Sequence, residues 1–264
     1  MRVTNNYNTG RRWHTPVSPR RILASSMRNP TPPKIWRGRS DCRECGGDCA
    51  MFGDLPANEL NLIHAPFDDL RFPTGAPLFL QGDDVNGIYS VRSGMVKLNR
   101  INADGTQRIV RVLRPGNTVG LEAMLHPQYE HDAIALTPVV ACRIPLDVMD
   151  KLDRESPTLH RRVLQQWHAA LADADQWFAE LANGSARVRI ARLLLKMRDD
   201  DNPENSVLFT LEDIGSILGM TVETGSRVIN AFLREGKIKR LETQGRDYWI
   251  DVAALEAEAQ SDAV

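Results

Sequence analysis

A chain of 264 residues with 42% hydrophobic content can bury one large core or two smaller ones. Its net charge of −1 does not by itself suggest nucleic acid, so any DNA-facing potential must come from local placement. No apolar run approaches the ~20 residues of a membrane span, and there is no basic-then-apolar secretory leader. A cytoplasmic protein is expected, in which four cysteines are ligands or bystanders rather than disulfides. Residues 1–40 hold nine basic residues and no acid, leaving 24 basic against 34 acidic in the remainder. Rich in Arg, Pro, Asn, Ser and Thr, this stretch is expected to be a disordered basic tail.

Next comes SDCRECGGDCAMFGDLP, in which Cys42, Cys45 and Cys49 form C-x2-C-x3-C. Gly46 and Gly47 let the backbone curl around a bound centre. Zinc draws four ligands, usually from paired sets, and no second CxxC or nearby His pair exists. Iron–sulfur clusters accept a compact Cys group plus one distant Cys. The remaining cysteine is Cys142, in VVACRIPLDVMDKL, an apolar strand leading into a helix. By itself such a cysteine reads as a small core residue. The motif alone leaves the metal open.

From Phe67 to about Leu146, short strands alternate with glycine turns. Pro77–Leu80, Gly87–Arg92, Met95–Ile101 and Gln107–Leu113 are each followed by a turn signal. Such spacing predicts an antiparallel barrel or jelly roll. The sensor domain is placed at residues 41–150.

Pro157 to Leu181 is read as a long helix, the centre of a dimerisation segment placed at residues 151–183. Val163, Trp167, Ala170, Ala174, Trp177 and Leu181 recur at 4, 3, 4, 3, 4, a heptad seam flanked by Leu164, Leu171 and Phe178. Val163, Trp167, Ala170, Leu171, Ala174, Trp177 and Leu181 are the expected homodimer interface. Asp173 and Asp175 add repulsion there, and Asn183-Gly184-Ser185 is the hinge into the last domain, residues 184–264.

In that domain FTLEDIGSILGMTVETGSRVINAFLREGKIKRLETQGRDYWI spans Phe209 to Ile250. Thr210 caps one helix, Gly219-Met220 breaks it, Thr221 starts a second, and Gly236 ends it. This is a helix-turn-helix. Gly225, Val228, Ile229 and Phe232 share one side of the second helix, with Glu223, Ser226, Arg227 and Asn230 opposite. Arg can bond guanine O6 and N7, and Glu can accept from cytosine N4. Glu223, Ser226 and Arg227 are therefore the expected base contacts, with Thr210, Thr221, Thr224, Asn230 and Arg246 on the DNA backbone. Ile238-Lys239-Arg240, Thr243-Gln244-Gly245-Arg246 and Tyr248-Trp249-Ile250 read as strand, turn, strand: a basic wing. No Ser-His-Asp, P-loop, G-x-G-x-x-G or H-E-x-x-H arrangement suggests an enzyme.

DIGSILGMTVETGSRVINAFLREGKI resembles the C-terminal domain of the CRP/FNR regulators, and the E-x-x-S-R of Glu223, Ser226 and Arg227 resembles their FNR branch. The resemblance runs from about Cys42 to the wing. It implies an α+β fold with an N-terminal antiparallel β-roll (jelly-roll-like) sensor, a long dimerisation helix and a C-terminal winged helix-turn-helix. It also implies an oxygen- or nitric oxide-sensitive 4Fe–4S cluster on Cys42, Cys45, Cys49 and Cys142. Cys142-Arg143-Ile144-Pro145 matches the place of the fourth ligand. Three residues separate Cys45 from Cys49, where the best-known members have five. The implied partners are RNA polymerase and double-stranded DNA with TTGAT-N4-ATCAA-like palindromes, bound under low oxygen. Cyclic-AMP-binding members carry an Arg followed by Ser or Thr to hold the phosphate. Here His131-Asp132 stands at that place, and an acid there repels phosphate. Bare thiol redox, a small ligand in the roll, or a zinc-stapled constitutive DNA binder remain the alternatives.

Overall fold

Glycine turns chop the apolar runs of the first half into strands too short to stand alone, so they close on one another across two antiparallel sheets. The computed structural model describes residues 36–40, 51–52, 56, 67–102, 105–242 and 246–261. The five-stranded sheet has the order β1 (Trp36–Ser40), β2 (Phe67–Phe72), β9 (Val139–Ile144), β4 (Ile88–Ser93), β7 (Thr118–Val119). The four-stranded sheet runs β3 (Pro77–Phe79), β8 (Asp132–Ala135), β5 (Val96–Ile101), β6 (Gln107–Leu113). Together they form the roll. The expected tail lies outside the described residues up to residue 35, but its last stretch is corrected: Trp36–Ser40 pairs antiparallel with β2. A paired strand satisfies backbone groups that the Arg- and Pro-rich composition left without an evident partner.

Gly38 lies opposite Asp69, Asp69 opposite Cys142, Cys142 opposite Ser90, and Ser90 opposite Thr118. Directly paired residues share a sheet face, so this is one row crossing all five strands.

The roll leads through α1 (Leu146–Glu155) into α2 (Pro157–Leu181). The long helix expected from Pro157 to Leu181 has those bounds, and it is separated from α1 at Ser156, whose side chain accepts from the Leu159 N–H at 2.9 Å. Pro157 at the first position explains the break, since it has no N–H to continue the preceding helix. Then come α3 (Ala186–Lys196), β10 (Asn205–Val207), α4 (Leu211–Leu218), α5 (Val222–Arg234), β11 (Ile238–Arg240), β12 (Asp247–Ile250) and α6 (Val252–Gln260). The wing is three-stranded, in the order β10-β12-β11.

Two apolar cores result. One fills the roll and takes Met149, Leu159 and Val163 from α1 and α2. The other is shared: Ile109, Val112 and Leu136 of the roll and Trp177 and Leu181 of α2 pack with the C-terminal helices. No helix among the described residues is long and apolar enough to cross a membrane.

Candidate nucleic-acid interface

The helix-turn-helix is set by its caps and two glycines. Thr210 accepts from the Asp213 N–H at 3.1 Å, and Thr221 accepts from the Thr224 N–H at 3.3 Å. Gly219 ends α4 at φ +62°, where a side chain is strained. Gly215 lets the turn close, because a Cβ there falls 2.7 Å from the carbonyl oxygen of Met220. Gly215→Ala is expected to destabilise the protein by roughly 1–3 kcal/mol, the range for overpacking against a backbone that cannot give. A fall in the urea midpoint at unchanged slope checks it; an unchanged midpoint contradicts it.

On α5 the division of faces is as the periodicity predicts. Gly225, Val228, Ile229 and Phe232 are buried, while Glu223, Arg227 and Asn230 are exposed and Ser226 is half-buried. Asn230 Nδ2 donates to Ser226 Oγ at 3.3 Å. Among the described residues no ion pair joins Glu223 to Arg227. Its own backbone N–H and the Thr221 side chain hold the Glu223 carboxyl below its ordinary range. A charged acceptor and an unengaged guanidinium thus stand one turn apart on the first two turns of the helix.

The two strands of the wing form where expected, β11 pairing antiparallel with β12. Lys239 lies over Trp249 at 4.6 Å and Arg240 over Tyr248 at 5.8 Å. Its tip, Thr243-Gln244-Gly245, lies outside the described residues. Arg246, expected on phosphate, instead donates from Nη1 to the Leu136 carbonyl of the roll at 2.8 Å. Thr210 is turned the same way. Both line a cavity of about 510 Å³ between α4 and the roll, with Lys97, Asn99, Gln107 and Ser216. Across it Lys97 Nζ meets Asp213 Oδ1 at 2.5 Å. The Ile109 N–H donates to Ser216 Oγ at 2.9 Å, and that hydroxyl donates to the Gln107 carbonyl at 3.0 Å. In this arrangement Arg246 and Thr210 face the sensor domain. Sequence reasoning missed the Lys97 and Ser216 contacts because their partners lie 116 and 107 residues away.

An ionic cluster braces the far side. Arg187 Nη2 meets Glu235 at 2.8 Å and its Nε meets Glu258 at 2.7 Å, while Lys237 pairs with both acids. Bonds from Arg187 bring both carboxyls to about 2, against burial for each and with help from Lys237. Because these folded-state values lie below the unfolded ones, the stabilisation is present above about pH 4.3 and is lost as pH falls toward 2. The stability advantage of the native protein over Glu258→Gln is expected to be full at pH 6 and absent near pH 2, read by urea unfolding at both. A difference that persists at low pH contradicts this.

On the sensor side, Cys142 is buried in β9. Cys42, Cys45 and Cys49 lie outside the described residues. A second cavity, about 410 Å³, opens between the roll and α2, lined by Arg111, Thr118, Glu122, Trp167, Ala170 and Leu171 among others. Asp132 does not face it, since its Oδ1 accepts from the Gln81 N–H at 2.8 Å. The acid there is Glu122, 3.7 Å from His131. Burial opposes the charge on Glu122, but His131 and backbone amides outweigh it and hold the carboxyl below its ordinary range.

The predicted dimer seam divides. Val163 packs in the roll core, and Trp177 and Leu181 in the shared core, so these three are corrected: their apolar surface is buried within the subunit. Ala170 and Ala174 are half-buried, and the Ala170 carbonyl accepts from Arg111 Nη1 at 3.2 Å. Asp173 stands near Arg111 and Arg114, which leaves Asp175 as the exposed acid. Leu164 (55%), Leu171 (61%) and Phe178 (76%) remain exposed seven residues apart, with Trp167 beside them.

Comparison with known proteins agrees with this architecture. Residues 69–156 match the cyclic nucleotide-binding domain family, and residues 188–258 match the Crp-like helix-turn-helix domain. The anaerobic regulatory protein of Haemophilus influenzae is 32% identical over 167 residues, 61% of this chain and 65% of that protein. The match thus spans slightly less than two thirds of that relative. The anaerobic regulatory protein of Pasteurella multocida is 31% identical over 185 residues, 67% of each chain. The fumarate and nitrate reduction regulatory protein of Yersinia pestis is 29% identical over 164 residues, 60% of this chain and 66% of that one. Among solved structures, a CRP-family transcriptional regulator of Thermus thermophilus superposes with TM-score 0.61 at 27% identity, covering 72% of this chain and 95% of that one. FixK2 of Bradyrhizobium japonicum, at 20% identity and TM-score 0.63, covers 72% and 96% and shares the fold. With a sensor roll, a long helix and a winged helix-turn-helix in this order, the chain belongs to the CRP/FNR superfamily of transcription regulators.

Proposed function

We propose that this protein is a homodimeric regulator of the anaerobic response, controlled by an oxygen- or nitric oxide-sensitive 4Fe–4S cluster on Cys42, Cys45, Cys49 and Cys142. It binds TTGAT-N4-ATCAA-like palindromes under low oxygen and acts on RNA polymerase. The observation that carries the DNA reading is the α5 face, where Glu223 and Arg227 are exposed and unpaired with each other among the described residues. Arg227 suits guanine and Glu223 the cytosine amine. The names of the relatives, anaerobic regulatory and fumarate and nitrate reduction regulatory proteins, support the physiological setting.

The residues around Cys142 fit a cluster. Cys142 is buried with Ser90 directly opposite, and the Ser90 hydroxyl and Asp69 Oδ1 are buried without hydrogen-bond partners among the described residues. A hydroxyl there suits a sulfur acceptor, and Arg92, 3.7 Å from Asp69, offsets negative charge. Strand β1 ends at Ser40, in the same sheet and two residues before Cys42. When bound, the cluster supplies an oxygen-labile link between that loop and β9, which runs directly into α1 and α2. The exposed Leu164, Trp167, Leu171 and Phe178 face is read as the surface buried by a second subunit. Pairing there sets two α5 helices about 34 Å apart for successive major grooves.

Sedimentation velocity under argon with palindromic and single-half-site duplexes tests this. A two-subunit complex on the palindrome alone is expected, and one subunit bound equally to either duplex contradicts it. The 410 Å³ cavity favours one second reading, a small effector held between the roll and α2. Colourless, iron-free protein that responds to such a ligand is the outcome that selects it.

A further inference from the structure

The cross-strand row through Cys142 continues past the cysteine. Ser90, fully buried, stands opposite it on β4, and Thr118, also buried, stands opposite Ser90 on β7. Thr118 Oγ1 then donates to Gln166 Oε1 of α2 at 3.4 Å. Gln166 adjoins Trp167, on the exposed face of that helix. Leu159 and Val163 of the same helix fall in the core that contains Cys142. The register therefore lines up Cys142, Ser90 and Thr118 beside the helix read above as the dimer element, and among these side chains the hydrogen bond present is that from Thr118 to Gln166.

A buried hydroxyl without a partner is destabilising, and native proteins leave few of them. Ser90 Oγ is such a group among the described residues. Alanine at this site avoids that cost, and packing alone gives no reason for the oxygen. Its closest cross-strand neighbours are a sulfur on one side and the Thr118 hydroxyl on the other.

We propose that Ser90 is a positioning residue for the metal centre: its hydroxyl donates to sulfur at Cys142 when the cluster is bound, and Ser90 and Thr118 pass that state to α2 through Gln166. The inference rests on the cluster reading above. It differs from the covalent link through β9 and α1, because it acts laterally across the sheet rather than along the chain. When sulfur at Cys142 engages the Ser90 hydroxyl, Ser90 and Thr118 settle in one arrangement, and Gln166 and its turn of α2 are fixed with them. Without the cluster the hydroxyl turns elsewhere and this turn is released.

The test uses full-length Ser90→Ala, Ser90→Thr and Thr118→Val proteins purified under argon. Iron and sulfide content, visible bleaching in air, and the dimer fraction are measured on each. Ser90→Ala is expected to load iron but bleach about tenfold faster, on the scale of outer-shell changes at metal sites. Its iron-loaded form should show the dimer fraction of the air-exposed native protein. Ser90→Thr, which keeps the hydroxyl, should restore the native bleaching rate. Thr118→Val should keep the native spectrum and bleaching rate while losing the dimer response. An iron-loaded Ser90→Ala protein with native bleaching and native dimer fraction overturns the inference and leaves the cluster reading standing. Native protein without iron sinks both. If Ser90→Thr fails to fold, the Thr118→Val arm still decides the lateral path, since native dimer response in that variant overturns it.

Discussion

Arg227→Ala is expected to lower affinity for the palindromic operator by about 1–3 kcal/mol per half-site and to erase discrimination at one base pair. Arg227 lies in the second turn of α5, exposed, with its aliphatic neighbours Val228 and Ile229 fixing the helix from the other side. Removing a guanidinium that touches solvent on the free protein costs no folding stability, so the loss falls on binding. Affinity for unrelated duplex should change far less, because phosphate contacts elsewhere are retained. Competition titrations with single-base operator variants check this. A uniform loss across all sequences means that Arg227 sits on phosphate, and the face assignment is then wrong. Arg246 offers the contrast. Held by the Leu136 carbonyl, it should give little loss of sequence discrimination as Arg246→Ala and act instead on how the roll and α4 sit together.

Cys142→Ser is the other large effect. If the cluster needs this ligand, the variant should lose its iron and fall to the operator affinity of the air-exposed native protein, at any oxygen level. Serine is close to cysteine in size, so the buried site in β9 keeps its packing and the loss reads as ligation. An unchanged melting temperature in the presence of lost iron makes that distinction. A variant that retains iron and operator affinity under argon contradicts the assignment of Cys142.

Much of this was legible in the chain itself. The glycine-spaced strands from Pro77 to Leu113 and the two faces of α5 follow from local periodicity, which the structure reproduces within a residue or two. The seam of α2 was visible as a repeat, but not its division. Heptad spacing finds apolar stripes and cannot say which one an adjoining core will claim, so Val163, Trp177 and Leu181 were assigned to a partner they do not face. Arg246 is a related case. A basic residue on a wing suits phosphate, and only the docking of the wing against the β8–β9 turn shows that a carbonyl holds it first. The Ser90–Cys142 pairing could not be read at all, because it depends on a register between strands about fifty residues apart. Trp36–Ser40 was hidden by composition, since a strand embedded in Arg- and Pro-rich sequence carries no alternation of its own.

The most direct measurement takes one preparation, purified under argon, and follows iron per subunit, visible spectrum and operator affinity before and after admitting air. About four irons per subunit are expected, with a coloured protein that bleaches and operator binding that weakens in step with the loss of colour. Iron-free protein under argon, or an operator affinity that air leaves unchanged while the colour goes, contradicts this.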